Sequence, residues 1–395
     1  PKGLADTSKI KVEQELQKYD KKWGRKTETI ETHRVQILDP ATGTGTFLDE
    51  IVRHIHSKMS GQAGMWPSYV NQDLLPRLHG FELMMASYTI AHLKLGLTLA
   101  ETGVTNLEKR LQIYLTNSLE EAKWTQENQW TLFGLLESIT DEARLADEVK
   151  RDKPVMIVVG NPPYSGISTN VWEWITRKIE DYKYVDGVHF WERKHWLQDD
   201  YVKFFRLGES LIEKNGEWVL AYITNHGYLD NPTFRGMRWH LLQTFDHIYI
   251  VDLHGNSKKK ETAQDGSKDE NVFDIQQWTA IFIGVKNGTK KAWELAKVEH
   301  IDQYGKRQAK YDWLENNSLT TGNPTFFVPQ NPYYFLVPKN IDGQEKYDSG
   351  FWVSELFSVN VTWIQTWNDD ILMDEDKEIL VNRLLNLAEE QINVH

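Results

Sequence analysis

Two short segments of this chain carry residue types whose spacing could do chemistry. In the first, Val155-Met156-Ile157-Val158-Val159 leads through Gly160 into Asn161-Pro162-Pro163-Tyr164. Pro162 and Pro163 have no N–H and a fixed φ, so a strand that reaches them stops abruptly. The Asn161 side chain and the Pro162 carbonyl are then held toward one point, and both oxygens can accept hydrogen bonds from a planar exocyclic amine. Accepting them draws the nitrogen lone pair out of conjugation with its ring and exposes it to an electrophilic methyl group. The proton can leave after attack, so no strong base is required. Tyr164 can stack on the face of the ring. The competing bland reading of the tetrapeptide is a rigid exit loop.

The second segment is Leu38-Asp39-Pro40-Ala41-Thr42-Gly43-Thr44-Gly45-Thr46-Phe47. In open α/β sheets ligands bind at the carboxyl ends of strands. Gly43 and Gly45 let the backbone approach a ligand closely, and the next helix offers free N–H groups. The third glycine of a dinucleotide fingerprint is missing, because Phe47-Leu48 stand in its place, and no phosphate-loop lysine comes after it. A nucleoside ligand without a phosphate chain is favoured, with S-adenosylmethionine the first candidate. Glu82, at the end of a second strand, could accept both ribose hydroxyls, and Asn117, at the end of a third, could read the adenine. Either residue could equally be a helix cap or a turn residue.

The elements that would position these residues can be read from periodicity. Strands are expected at Val35–Leu38, Leu78–Glu82, Leu111–Leu115, Val155–Val159, Trp218–Ile223, Ile248–Val251 and Trp278–Val285. Helical apolar spacing covers Phe47–Met59, Met84–Leu99, Tyr201–Ile212 and Phe234–Leu242. Strands alternating with helices predict an α/β fold, Rossmann-like, with a seven-stranded, mostly parallel sheet and an antiparallel final strand. Charged residues 119–153 read as a helical insertion. Three parts are expected: a helical N-terminal segment (1–34), a methyltransferase domain (35–290), and an irregular, then helical, connection (291–395).

The motifs together resemble the γ-class N6-adenine DNA methyltransferases, and within them the methyltransferase part of type ISP single-chain restriction–modification enzymes. The resemblance rests on Asp39 to Phe47, Gly160 to Tyr164, Asp199-Asp200-Tyr201-Val202-Lys203-Phe204, Asn271-Val272-Phe273-Asp274-Ile275 and Asn331-Pro332-Tyr333-Tyr334-Phe335, and it extends over about residues 37–370. It implies an S-adenosylmethionine-dependent methyltransferase fold. It implies catalytic Asn161, Pro162, Pro163 and Tyr164, and cofactor contacts from Asp39, Pro40, Ala41, Thr42, Gly43, Gly45, Phe47, Glu82 and Asn117. A phenylalanine of the Phe204-Phe205 pair would border the cofactor, and Phe273 or Phe282 could cover the other face of the base. The target adenine would be flipped from the duplex, at a cost of a few kcal/mol. The chain departs from the family in lacking a Phe-Tyr-Thr-Pro element before Asp39, in having Asn117 where Asp is common, and in carrying Trp278, Trp363 and Trp367 where smaller residues are usual.

The implied partners are double-stranded DNA and the rest of a larger restriction–modification polypeptide, with a target-recognition domain and a nuclease or helicase. Pro1-Lys2-Gly3-Leu4 has neither an initiator Met nor a signal-peptide core and reads as the start of a piece of a longer chain. No run is apolar enough for a membrane span, and a cytoplasmic location is expected. The net charge of −12 argues against strong non-specific DNA binding by this piece. Local basic groups are Lys258-Lys259-Lys260, Arg235 with Arg238, and Lys150-Arg151 with Lys153. With no cysteine there is no thiolate metal site, and no histidine/acid cluster has ligand spacing in the sequence, so no metal is expected. Asn-Pro-Pro-Tyr also serves methyltransferases of RNA amines and of protein glutamine amides. A catalytically degenerate scaffold of a restriction complex is the non-enzymatic alternative.

Overall fold

The structure is a computed structural model that describes residues 6–20, 24–122, 134–164, 166, 168, 170–190, 195–213, 216–256, 261–263, 265–340, 343, 346, 349–351, 355 and 376–392. The chain opens on an antiparallel hairpin of β1 (Lys9–Asp20) and β2 (Gly24–His33). Then come β3 (Gln36–Asp39), α1 (Thr46–Lys58), α2 (Trp66–Tyr69), β4 (Leu78–Glu82), α3 (Met85–Glu101), β5 (Gln112–Leu115), α4 (Gly134–Asp152) and β6 (Val155–Gly160). The second half runs through α5 (Glu173–Ile179), a small hairpin of β7 (Tyr184–Val185) and β8 (Val188–His189), α6 (Asp200–Ile212), β9 (Trp218–Asn225), α7 (Arg235–Thr244), β10 (His247–Asp252), β11 (Thr279–Lys286), β12 (Lys297–Asp302), α8 (Arg307–Asn316) and β13 (Thr325–Phe327). Two compact units result, 1–338 and 339–395, the second holding α9 (Lys377–Ile392).

The central sheet has the order β13-β12-β10-β11-β9-β6-β3-β4-β5. β3, β4, β5, β6 and β9 pair in parallel, as do β10 and β12. β11 enters antiparallel between β9 and β10. The chain from 253 to 278 forms no helix among its described residues. Without a crossover helix the return strand runs antiparallel. This is the Rossmann-like α/β fold with the antiparallel closing strand that the sequence predicts. All seven expected strands are present, and β12 and β13 extend the sheet to nine. Both come from beyond residue 290, where the alternation in the sequence fades.

Alternation along the parallel strands explains the two layers. Ile37 packs with Leu48, Val52, Leu95 and Leu99 on one face of the sheet, and its neighbour Leu38 joins Phe81, Val158, Phe205 and Leu220 on the other. Successive side chains of a strand point to opposite faces, so a strand covered on both sides is apolar throughout. The second face is centred on aromatic rings: Phe282 meets Phe205 at 4.9 Å and Phe245 at 5.5 Å between centroids, both edge-on.

Two expectations are corrected. The described residues of the N-terminal segment 1–34, expected to be helical, form no helix. Lys9-Ile10-Lys11-Val12-Glu13 and Thr27-Glu28-Thr29-Ile30-Glu31-Thr32 alternate with period two and are rich in β-branched residues. They pair with Val12 opposite Ile30 and Ile10 opposite Thr32. The high charge suggested a helix, but the period decides for a hairpin. Residues 134–152 of the expected insertion are instead a covering helix of the fold. α4 buries Ala146 and Val149 in the core and holds Arg110 at 2.6 Å through Glu142. Among the described residues, no helix is long and apolar enough to cross a membrane. Lys258–Lys260, Trp363 and Trp367 lie outside the described residues.

Candidate active site

The carboxyl ends of β3, β4, β5 and β6 form one rim, and the chemically suggestive residues stand along it. At the end of β3, Asp39 is fully buried and the chain turns through Pro40 and Ala41 into a glycine bend. Gly43 and Gly45 adopt φ of 55° and 80°, the left-handed region that glycine enters without a Cβ penalty. The turn is held from three sides. The Thr42 N–H donates to the Phe81 carbonyl at 3.0 Å, the Thr42 hydroxyl to the Asp39 carbonyl at 3.0 Å, and the Ser118 hydroxyl to the Pro40 carbonyl at 2.5 Å. Phe47 lies half-buried in the first turn of α1.

Glu82 closes β4, and its carboxylate accepts from the Gly43 N–H and from the Met84 N–H, both at 2.7 Å. Each oxygen keeps a lone pair for a hydroxyl donor. Asp39 Oδ1 accepts from the Ala41 N–H at 3.1 Å, and Oδ2 is buried with no hydrogen-bond partner among the described residues. Burial pushes the Asp39 carboxyl up to about 7; the Ala41 N–H opposes this and the Glu82 charge adds to it. Asp39 Oδ2 has a lone pair with which to accept a hydrogen bond from a donor group.

Asn117 lies just past β5. Its amide donates to Asn170 Oδ1 at 3.1 Å and its Oδ1 accepts from the Leu119 N–H at 3.0 Å. Asn170 belongs to a staple that sequence reasoning missed. Its amide donates to Asp200 Oδ1 at 2.9 Å, the Ser168 hydroxyl donates to the same oxygen at 2.5 Å, and Lys203 Nζ donates to Ser168 Oγ at 2.9 Å and to the Asn170 carbonyl at 2.5 Å. The Gly166 N–H donates to Asp199 Oδ2 at 3.1 Å. The first residues of Asp199-Asp200-Tyr201-Val202-Lys203 thus fasten the chain that leaves Tyr164. A cluster of polar residues directly after the Asn-Pro-Pro-Tyr segment was the one available signal.

β6 is the parallel neighbour of β3, and its last residue explains how the two motifs meet. A Cβ on Gly160 would lie 2.7 Å from Asp39 Oδ1 and 3.7 Å from Pro40 Cδ. Only glycine admits that approach, so the start of Asn161–Tyr164 rests directly on the start of the glycine turn. Asn161 is exposed, Pro162 buried, Pro163 exposed and Tyr164 half-buried. The Tyr164 hydroxyl donates to Asn161 Oδ1 at 2.7 Å. Burial, partly offset by that bond, pushes the phenol up to about 12, which keeps it a donor.

Residues 77–259 match the Eco57I restriction-modification methylase family. The matched stretch takes in Glu82, Asn117 and Asn161–Tyr164, and the glycine turn precedes it. The chain resembles the methyltransferase part of type ISP enzymes in its fold as well. The ATP-dependent type ISP restriction-modification enzyme LlaBIII bound to DNA is 23% identical over 79% of this chain and 21% of its own, with a TM-score of 0.65. A nuclease-deletion mutant of the type ISP enzyme LlaGI in complex with a DNA substrate mimic is 23% identical over 79% of this chain and 25% of its own, with a TM-score of 0.62. The DrdV–DNA complex is 22% identical over 89% of this chain and 34% of its own, with a TM-score of 0.63. This chain therefore spans between about a fifth and a third of those proteins. No curated protein matches it.

Several named residues have other duties. Phe282 is fully buried among Phe205, Tyr228 and Phe245 and is no partner for a base. Phe205 is likewise core, whereas Phe204 keeps slight exposure. Phe273 packs partly on Val251 and Leu253 beside a surface cavity of about 840 Å³. Arg238 is buried and donates to the carbonyls of Tyr228, Asn231 and Tyr333. Lys150 donates to the carbonyls of Asn117 and Glu120. Neither is a surface cation for phosphate.

Proposed function

We propose that this chain is the catalytic part of an S-adenosylmethionine-dependent methyltransferase that modifies the N6 amine of adenine in double-stranded DNA, within a larger, cytoplasmic restriction–modification polypeptide. The observation that carries this reading is the contact of Gly160 with Asp39, which joins the glycine turn and the Asn161–Tyr164 tip along one rim. The cofactor, when bound, supplies an electrophilic methyl group. Residues suited to holding it are Asp39, whose buried Oδ2 lacks a partner among the described residues, the Gly43–Gly45 turn, Glu82 for the ribose, and Asn117. The rest of the work falls to β6 and its exit. Asn161 Oδ1 and the Pro162 carbonyl accept the two amine hydrogens, localising the nitrogen lone pair. Pro162, buried, fixes that carbonyl, and Tyr164 offers its ring as a stacking face. The Asn161 oxygen has two lone pairs, so the Tyr164 hydroxyl can stay bound while an amine arrives. Target choice and most of the DNA grip belong to parts of the polypeptide beyond this chain.

In the full-length protein, Asn161→Ala is expected to lower tritiated-methyl transfer to duplex DNA by at least about 10²–10³-fold, the range for losing one strong polar contact to the reacting group. S-adenosylmethionine binding, read by calorimetry, is expected to stay close to wild type. Transfer at a near wild-type rate would remove Asn161 from the mechanism. Methylation of RNA or of a glutamine peptide in place of duplex DNA would favour the other substrate classes.

A further inference from the structure

On the far side of β9, the same rim carries a second cluster. β10 and β12 run parallel with Asp252 directly beside Asp302, so two carboxylates end adjacent strands together. His300 precedes Asp302 by two residues and shares its face of β12. His226 comes just after β9, and His254 just after β10 with φ of 48°, a left-handed conformation that is uncommon outside glycine and turns its ring back onto both aspartates. Ligand atoms of Asp252, His300 and Asp302 all lie within 4.8 Å of one another. His300 Nδ1 is 3.5 Å from Asp302 Oδ2, and His254 Nε2 is 2.8 Å from Asp302 Oδ1 and 3.9 Å from Asp252 Oδ2. Four donors at bond lengths near 2.1 Å on a tetrahedral ion stand about 3.4 Å apart, inside that spread.

Hydrogen bonds account for His254, whose Nε2 pairs with Asp302 Oδ1 at 2.8 Å and Nδ1 with Glu261 Oε1 at 3.3 Å, but not for His300. His300 is 2% exposed, and neither of its ring nitrogens has a hydrogen-bond partner among the described residues. Asp252 Oδ2 is paired with His226 Nδ1 at 2.7 Å, and, against the effect of burial, that imidazole holds the Asp252 carboxyl below the usual carboxylate range. A buried imidazole with both nitrogens left as those of His300 are, beside two carboxylates, is costly and rare and calls for a ligand.

We propose that Asp252, His300 and Asp302, completed by His254, bind one divalent transition-metal ion of the zinc class. Imidazole nitrogens select zinc over magnesium, and two carboxylates balance the ion's charge. His226 touches the ligating oxygen of Asp252 and orients it. The Trp278 ring stands edge-on against His226 at 4.3 Å and packs against the orienting imidazole, which gives this tryptophan a use where a smaller residue was expected. The ion ties the ends of β10 and β12 to the foot of the 253–278 segment, which carries Asn271-Val272-Phe273. The site is independent of methyl transfer.

The test uses the 395-residue chain stripped with chelator and titrated calorimetrically with Zn²⁺, Mn²⁺ and Mg²⁺. One Zn²⁺ per chain is expected, with a higher unfolding midpoint and no comparable Mg²⁺ binding. Asp302→Asn, at a partly exposed position that leaves the fold intact by circular dichroism, is expected to weaken Zn²⁺ at least tenfold. His300→Gln is expected to abolish binding, and His54→Gln, on the surface of α1, to leave it unchanged. The proposal is overturned by the absence of one-to-one Zn²⁺ binding, by wild-type affinity in Asp302→Asn and His300→Gln, or by Mg²⁺ binding as tight as Zn²⁺.

Discussion

Asp39 is the residue whose ionisation the fold most alters in the active site. Its carboxyl rises from an ordinary 3.8 to about 7, because burial disfavours the charge. A carboxyl whose folded value is raised contributes stability that is complete below about pH 4 and is lost as pH climbs through about 7. The unliganded chain should therefore unfold more easily at pH 8 than at pH 5, and Asp39→Asn should flatten that difference in thermal melts. A cationic ligand reverses the preference, since it favours the carboxylate. Calorimetry should find S-adenosylmethionine binding about five- to tenfold tighter at pH 8 than at pH 6 in the wild type, with little pH dependence in Asp39→Asn. Equal slopes in the two proteins would detach Asp39 from the cofactor.

At the level of elements, β6 brings Asn161 to the rim and α6 anchors the chain beyond Tyr164. Lys203 is nearly fully buried and spans Ser168 and the Asn170 carbonyl, so Lys203→Met should free the chain between 165 and 170 without unfolding the sheet. Limited proteolysis should cut there faster, and methyl transfer should fall about tenfold as the tip loses its orientation. Unchanged cleavage would show the staple to be redundant. This staple also marks where sequence reading stops. The glycine bend and the Asn-Pro-Pro-Tyr tip were legible because each is a local device whose residues are adjacent in the chain. Ser168, Asn170, Asp200 and Lys203 become partners only once α6 docks, and five residues spread from His226 to Asp302 become one cluster only once β11 is inserted between β9 and β10. The N-terminal hairpin was misread for a different reason: Lys and Glu suit helices and exposed strands alike, and only the period of Ile10, Val12 and Ile30 distinguishes them.

For the whole molecule, charge is the governing quantity. The net charge is −12, and prominent cations are spent inside: Arg238 on three carbonyls, Lys150 on two, Arg206 on Asp181 and Glu213. Non-specific DNA affinity scales with the phosphates a protein neutralises. The isolated 395-residue chain should leave a 30-base-pair duplex unshifted at about 1 µM protein in 150 mM salt. Tight retardation there would mean that a basic surface has been overlooked.

The outermost strands of the nine have a consequence of their own. β13 and β5 are three and four residues long, too short to offer a passing chain more than a rung or two of unpaired amides. The long ribbon of β1 and β2 is studded with Lys and Glu, which repel a like neighbour. A sheet this wide, rich in valine and isoleucine, is thereby protected from joining edge to edge into aggregates.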